Sequence, residues 1–227
     1  MVRAPDLARL ALFRGFVAED LDLVAAYMVR TRYARGEVIF RRGEPGRAIY
    51  VVEEGWVKIA LGSPAGKEQT VALLGPGDFF GELAVLDGEP RSADAVALEP
   101  VVLLVLLRED LRRDLEARPR IAVQLLAALS RRLRTADGVI ADAAFLDVSG
   151  RLASTLLRLA ATEQHAGTEA GAVLGPRLSQ TELASLVGAT RESVGRCLLA
   201  FERGGLIRRR SGRIIVLHPE ALRARIG

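Results

Sequence analysis

Arg191, Glu192 and Arg196 are the three side chains whose types and spacing are best suited to reading nucleic-acid bases. They fall in a segment where Ser179 and Glu182 have the spacing of a capping box. Leu183, Leu186 and Val187 give the first helix an apolar face, and Gly188 supplies a tight turn. Thr190 then caps a second helix whose Val194, Leu198 and Phe201 point inward. This pattern predicts a helix-turn-helix, with Arg191, Glu192 and Arg196 on the outer face of its second helix. An arginine can pair bidentately with guanine O6 and N7, and a glutamate accepts from cytosine N4. Phosphates repel a carboxylate, so a nonspecific binder gains little from a glutamate between two arginines. Two strand-like runs, Leu206 to Arg209 and Arg213 to Leu217, predict a hairpin wing around Arg210, Ser211 and Gly212. Arg208, Arg209, Arg210 and Arg213 of that wing are within reach of phosphates, and Ser179, Thr190 and Ser193 are further phosphate candidates. A winged-helix protein-interaction module is the competing reading, but it needs neither the Arg/Glu/Arg set nor a basic wing.

A second constellation runs from Phe80 to Ala93. Gly81 and Gly88 allow close backbone approach, amides at the start of a short helix can receive an anion, and Arg91 with Ser92 adds charge and a hydroxyl donor. Glu82 would repel a phosphate, so its useful role is to accept from a sugar hydroxyl beside one. Phosphate and ribose hydroxyl together describe a nucleotide. A tight turn with a surface Arg–Glu pair explains the same residues equally well.

The remaining sequence must position these two groups. Its 227 residues are 50% hydrophobic and 26% charged, with a mean hydropathy of +0.21, enough apolar surface for more than one folded core. Residues 1–147 carry 20 Lys+Arg against 22 Asp+Glu, and residues 148–227 carry 12 against 6. Positive charge is therefore concentrated in a small C-terminal module, as expected for contact with a phosphate backbone. The longest apolar run, Val101 to Leu107, is far below the ~20 residues of a membrane helix. No secretory h-region is apparent near the N-terminus, so a cytoplasmic address and no membrane partner are expected. One cysteine, Cys197, and two histidines, His165 and His218, cannot build an internal disulfide or a four-ligand metal site.

Residues 5–30 read as two short helices. From Gly36 to Leu107 short apolar runs, Val38 to Phe40, Ile49 to Val52, Val57 to Leu61, Thr70 to Leu74 and Val101 to Leu107, alternate with Gly- and Pro-rich turns. An antiparallel barrel or sandwich is predicted. Arg108 to Ala117 returns to helical spacing, and Pro119 suits the start of the next helix. That helix carries Leu126, Leu129, Leu133, Ala136, Ile140 and Ala143 at steps alternating between three and four, the spacing of a coiled-coil seam and so of a homodimer. Phe145 to Gly150 forms a short hinge, with Asp147 capping a helix that begins near Ser149 and runs to about Glu163. Residues 164–176 read as a loose connection.

Three segments in order, Gly81-Glu82-Leu83 through Pro90-Arg91-Ser92-Ala93, the seam helix ending Ala144-Phe145-Leu146-Asp147-Val148, and Arg191 through Arg196, resemble the cyclic-AMP receptor protein (catabolite activator) family of bacterial transcription regulators. The likeness extends over essentially residues 10–218. It implies an α+β chain: a cyclic-nucleotide-binding, jelly-roll-like β-roll over 1–117, a dimerisation helix over 118–146, and a winged helix-turn-helix over 147–227. It also implies a homodimer that is not an enzyme, with cyclic AMP as allosteric effector, no metal, and RNA polymerase as a further partner. In the family the residues matching Gly81, Glu82, Leu83, Arg91 and Ser92 hold ribose and cyclic phosphate, and Ala93 closes that motif. Arg191 and Arg196 would meet guanines and Glu192 a cytosine in a palindromic promoter site with half-sites similar to TGTGA.

One departure concerns the base. The family's adenine is met by a Thr-Ser or Thr-Asn pair, and the matching positions here are Ala136 and Asp137. Asp137, beside the seam, can accept from the adenine N6 amino group, and its carboxylate would be repelled by guanine O6. Thr135 is a substitute contact if the register differs by one residue. The departure motivates an alternative, a constitutive regulator of the same superfamily that needs no ligand. A nucleotide phosphodiesterase with a DNA-binding appendage is a remote alternative, because Glu82 and Arg91 supply neither a carboxylate cluster nor an activated nucleophile.

Overall fold

The structure is a computed structural model that describes residues 2–8, 10, 13, 16–63, 68–162, 172–173, 175–210 and 212–226. Of the loose connection expected over 164–176, residues 164–171 and 174 lie outside the described residues, as do the turn at 64–66, Glu163 and Ser211, whereas Ala172–Val173 is a short strand. The chain forms two compact units, Met1–Leu61 with Val71–Leu133, and Gly62–Thr70 with Arg134–Gly227.

In the first unit, α1 (Ala4–Ala8) and α2 (Ala18–Tyr27) precede β1 (Val29–Tyr33), β2 (Val38–Phe40), β3 (Ala48–Glu54), β4 (Val57–Gly62), β5 (Glu68–Leu74) and β6 (Phe79–Phe80). A short α3 (Glu82–Leu86), β7 (Asp94–Ala97), β8 (Val101–Leu107) and α4 (Arg108–Ala117) follow, and then the long α5 (Pro119–Phe145), whose residues from Arg134 on belong to the second unit. The strands make two four-stranded sheets, ordered β1-β8-β3-β6 and β2-β7-β4-β5. Alternation along the strands explains their packing. Val101 and Leu103 of β8 and Val52 of β3 turn into a core shared with Phe40, Val57, Phe80 and Ala95, between the two sheets. Leu104 and Leu106 of β8, with Ile49 and Val51 of β3, turn to the other face and pack under Leu21, Val24, Leu111 and Leu125 of the helices. Because this sheet is covered on both faces, its central strand is a continuous apolar run rather than an alternating one. Fully buried leucines such as Leu103 and Leu104 each contribute ~1.5–3 kcal/mol.

Two short helices form as expected within residues 5–30, but the second stops short: α2 ends at Tyr27, and Val29–Tyr33 is a strand. Val29, Thr31 and Tyr33 alternate with Arg30 and Arg32, and this period-two segment pairs antiparallel with β8. Two buried carboxylates then tie the helices together. Asp20 is paired with Arg120 at 2.6 Å, and Asp114 accepts from Arg118 at 2.8 Å and from the Tyr27 hydroxyl. Burial, followed by the neighbouring Asp114 carboxylate, pushes the Tyr27 phenol up to about 12.

The second unit contains α6 (Val148–Thr162), β9 (Ala172–Val173), α7 (Gln180–Val187), α8 (Arg191–Arg203), β10 (Ile207–Arg210), β11 (Arg213–Val216) and α9 (Pro219–Arg223). The three strands form one sheet in the order β10-β11-β9. Leu152, Leu156, Leu183, Val194, Leu198, Phe201 and Leu222 are buried in its helical core. Asp147 Oδ1 accepts from Gly150 N at 2.8 Å and so caps α6. Asp142 on the last turn of α5 accepts from Ser154 Oγ and from Arg158, each at 2.6 Å, which fastens the end of α5 to α6. Within the same unit Ser185 Oγ accepts from Thr70 N at 2.9 Å and donates to Glu68 O at 3.0 Å.

Candidate nucleotide pocket and nucleic-acid interface

In the first unit, Gly81 enters α3 with φ of 79°, a conformation open to glycine. A Cβ there would lie 2.5 Å from an Arg91 nitrogen, so the glycine also makes room for that side chain. Arg91 is only 4% exposed. Its two terminal nitrogens donate to Gly81 O at 2.6 Å and to Ala48 O at 2.9 Å. The guanidinium lies 4.1 Å above the Phe40 ring centroid and 5.6 Å from that of Tyr50. Burial lowers its pKa, but an arginine remains charged throughout the working range. Its Nε has no hydrogen-bond partner among the described residues. Carbonyl oxygens and ring faces carry no full negative charge, and Glu82 and Glu44 act on the guanidinium only through space, so its chemistry suits a phosphate group.

Glu82 is equally sequestered, at 3% exposed. Its Oε1 accepts from an Arg132 nitrogen at 2.7 Å, while the other Arg132 nitrogen donates to Phe79 O at 2.7 Å. Glu82 and Arg91 are therefore two buried groups with separate partners, and the surface Arg–Glu pair offered as an alternative is not formed. Of the remaining expected nucleotide contacts, Leu83 is half exposed, Ser92 is exposed, and Ala93 is buried. Asp137 is exposed on α5 and belongs to the second unit, whereas the others belong to the first. Sequence reasoning missed Arg132, because no spacing rule ties position 132 to position 82.

In the second unit, Ser179 Oγ accepts from Glu182 N at 3.2 Å and Glu182 reaches back to Ser179 N at 2.6 Å, forming the expected capping box. Gly188 closes α7 with φ of 63°. Thr190 Oγ1 accepts from Ser193 N at 3.2 Å and starts α8. Val194, Leu198 and Phe201 face the core, leaving Arg191, Glu192 and Arg196 exposed. Arg196 donates to Ser193 Oγ at 3.1 Å. Glu192 lies below the usual carboxylate value, held first by its own backbone amide, then by the Thr190 hydroxyl and the charges of Arg191 and Arg196. It is therefore an ionised acceptor at neutral pH.

The wing is less uniformly available than its sequence suggests. Arg209 is engaged by Glu202, at 2.6 Å between side chains and again through its backbone amide. Arg213 donates to Gly175 O at 2.6 Å. Arg208 and Arg210 remain exposed. Cys197 is half-buried, and burial pushes its thiol up, consistent with a packed side chain rather than a reactive one. No helix among the described residues is long and apolar enough to cross a membrane.

Comparison with known proteins matches residues 30–118 to the cyclic nucleotide-binding domain and residues 150–225 to the Crp-like helix-turn-helix domain. The chain is 37% identical over 221 residues to the CRP-like cAMP-activated global transcriptional regulator of Mycobacterium tuberculosis, covering 96% of this chain and 97% of that protein. Among solved structures it is similar to the Thermus thermophilus catabolite activator protein, with a TM-score of 0.54 and 38% identity over 95% of this chain and 98% of that one. It is also similar to the c-di-GMP responsive global regulator CLP of Xanthomonas campestris, with a TM-score of 0.74 and 28% identity over 88% of this chain and 99% of that one. With both domain matches and relatives spanning nearly its whole length, this chain belongs to the cyclic-AMP receptor protein family: a cyclic-nucleotide-responsive, DNA-binding transcription regulator and not an enzyme.

Proposed function

We propose that this protein is a cytoplasmic homodimer switched by cyclic AMP, which binds a palindromic promoter site with TGTGA-like half-sites and contacts RNA polymerase there. The observation that carries the effector reading is Arg91, a buried cation whose partners are neutral and whose Nε is unsatisfied. The cyclic phosphate answers that charge with Ser92, and Glu82 accepts from the ribose hydroxyl, with Gly81, Leu83 and Ala93 shaping the cradle. Asp137 accepts from the exocyclic amino group of adenine and disfavours guanine O6. The β-roll is assigned to 1–117, the dimerisation helix to 118–146 and the DNA-binding domain to 147–227.

The dimer reading rests on α5, where Leu126, Leu133 and Ile140, spaced seven apart, are 62, 64 and 67% exposed. Such a row is a seam waiting for a second copy. Arg191, Glu192 and Arg196 read bases, while Ser179, Thr190, Ser193, Arg210 and Arg213 hold phosphates. Ligand binding shifts a two-state equilibrium that sets two recognition helices one DNA turn, ~34 Å, apart, with a coupling of ~1–3 kcal/mol. Calorimetry with cyclic AMP and cyclic GMP tests the effector: saturable heat with the first and at least tenfold weaker binding of the second are expected. No heat with either nucleotide would replace this reading by the ligand-independent regulator that Ala136 and Asp137 bring to mind.

A further inference from the structure

Within the DNA-binding unit, Glu202 in the last turn of α8 faces Arg209, the third residue of β10, across the turn at Gly204 and Gly205. Three donors of Arg209 converge on one carboxylate. Its backbone amide reaches Glu202 Oε1 at 3.2 Å, while Nε at 3.0 Å and Nη2 at 2.6 Å both reach Oε2. The two side chains keep 36% and 33% of their surface in water, and an ion pair so exposed ordinarily adds little to stability. This one also binds the chain. β10 is an edge of the β10-β11-β9 sheet, and the Arg209 amide faces that free edge, where Glu202 takes it up. The Glu202 carboxyl lies below the usual carboxylate value, held first by the Arg209 side chain and then by its amide. It is therefore ionised at neutral pH.

The Nε and Nη2 edge that Arg209 gives to Glu202 is an edge that a guanidinium also offers to a phosphate. Arg208 and Arg210, the neighbours of Arg209 on β10, are exposed, whereas the charge of Arg209 is met by a carboxylate of its own chain. Every duplex carries the same phosphates, so an arginine released to them strengthens binding without regard to sequence. The contact also joins the wing to the helix that carries Arg191, Glu192 and Arg196. A wing fastened to α8 meets the backbone in step with base reading, while a loose one grips any duplex by itself.

We propose that Glu202 is a specificity-determining residue that acts by positioning: its carboxylate occupies Arg209 in place of a DNA phosphate and fastens β10 to the recognition helix. The inference rests on the reading that the wing meets the DNA backbone, and it adds that one arginine of the wing is withheld from that backbone.

The test uses the full chain in saturating cyclic AMP and compares wild type, Glu202→Gln, the double variant Glu202→Gln with Arg209→Gln, and Arg210→Ala. Each protein is titrated against a TGTGA-type palindrome and a scrambled duplex at several salt concentrations. Glutamine at 202 keeps an acceptor for the Arg209 amide, and melting curves check that every variant folds. Glu202→Gln is expected to bind the scrambled duplex severalfold more tightly at low salt and to steepen its salt slope by ~1 for each protomer. The palindrome should gain less, so that the ratio of the two affinities falls ~3-fold or more. The double variant, which has the wild-type net charge, should return to the wild-type slope. An unchanged slope in Glu202→Gln, with the double variant ~1 for each protomer below wild type, would show that Arg209 already holds a phosphate and would overturn the proposal. Weaker binding of Glu202→Gln to both duplexes without a steeper slope would overturn it as well, because the contact would then only support the fold. Arg210→Ala separates the two levels of the argument. If it lowers the slope while Glu202→Gln leaves it unchanged, the withholding of Arg209 alone fails; if neither variant moves the slope, the wing does not meet the backbone and both readings fail.

Discussion

The Glu82–Arg132 pair offers a quantitative check on the pocket. Glu82 Oε1 and Arg132 are 2.7 Å apart, with side-chain exposures of 4% and 34%. Removing one partner of a fully buried ion pair costs ~3–5 kcal/mol, since the other charge is left without compensation. Arg132 keeps a third of its surface in water, so Arg132→Ala opens a path by which water reaches Glu82. The expected loss is therefore reduced to ~1–3 kcal/mol. Glu82→Gln keeps a neutral acceptor for Arg132 and should cost ~1 kcal/mol. Because the two residues share one contact, the double variant should be less destabilised than the sum of the singles, with a coupling energy of ~1–2 kcal/mol. Urea unfolding of the four proteins followed by circular dichroism measures the cycle. The same four proteins titrated with cyclic AMP report on function, where Glu82→Gln should lose about tenfold or more in affinity as a charged acceptor of the ribose hydroxyl disappears. Additive single effects, with coupling below ~0.5 kcal/mol, would refute the pairing and remove Arg132 from the account of the pocket.

Other consequences concern the DNA-binding unit and the helical layer. Arg191→Ala should lose ~1–3 kcal/mol on the palindrome and relax the preference at one base position, measured by competition among single-base variants of the half-site. Arg210→Ala should weaken binding to every duplex alike and lower the salt slope by ~1 for each protomer, seen in titrations at several salt concentrations. Tyr27 supplies a pH signature. Its phenol is raised from 10.0 to about 12 in the folded chain, so its stabilising contribution is complete below pH 10 and is lost as pH rises through 12. Tyr27→Phe should flatten that alkaline loss of melting temperature, and an unchanged profile would show that ionisation of Tyr27 does not govern it.

The helix-turn-helix was legible because its signals are local. The Ser179–Glu182 box, the left-handed Gly188 and the Thr190 cap each act within three or four residues of where they stand. The strand at Val29–Tyr33 was hidden because it is only five residues long and follows directly on a helix, and its partner, β8, is about seventy residues away in sequence. Arg91 was legible as a functional charge but not as a buried one, since arginine is ordinarily exposed. Arg132 could not be found until the chain had brought Phe79 and Glu82 beneath one face of α5. For α5 itself, Leu126, Leu133 and Ile140 fit two heptad frames equally well. Only the partial packing of Leu129 into the core separates them, and Ala136 and Asp137 are both exposed.

The most direct test of the whole account is a fluorescence-anisotropy titration of the purified protein against a TGTGA-type palindrome and a scrambled duplex of the same composition, with and without saturating cyclic AMP. A coupling of ~1–3 kcal/mol corresponds to a gain of ~5–150-fold for the palindrome, with little change for the scrambled duplex. Equal affinities for the two duplexes, or identical curves with and without nucleotide, would contradict it.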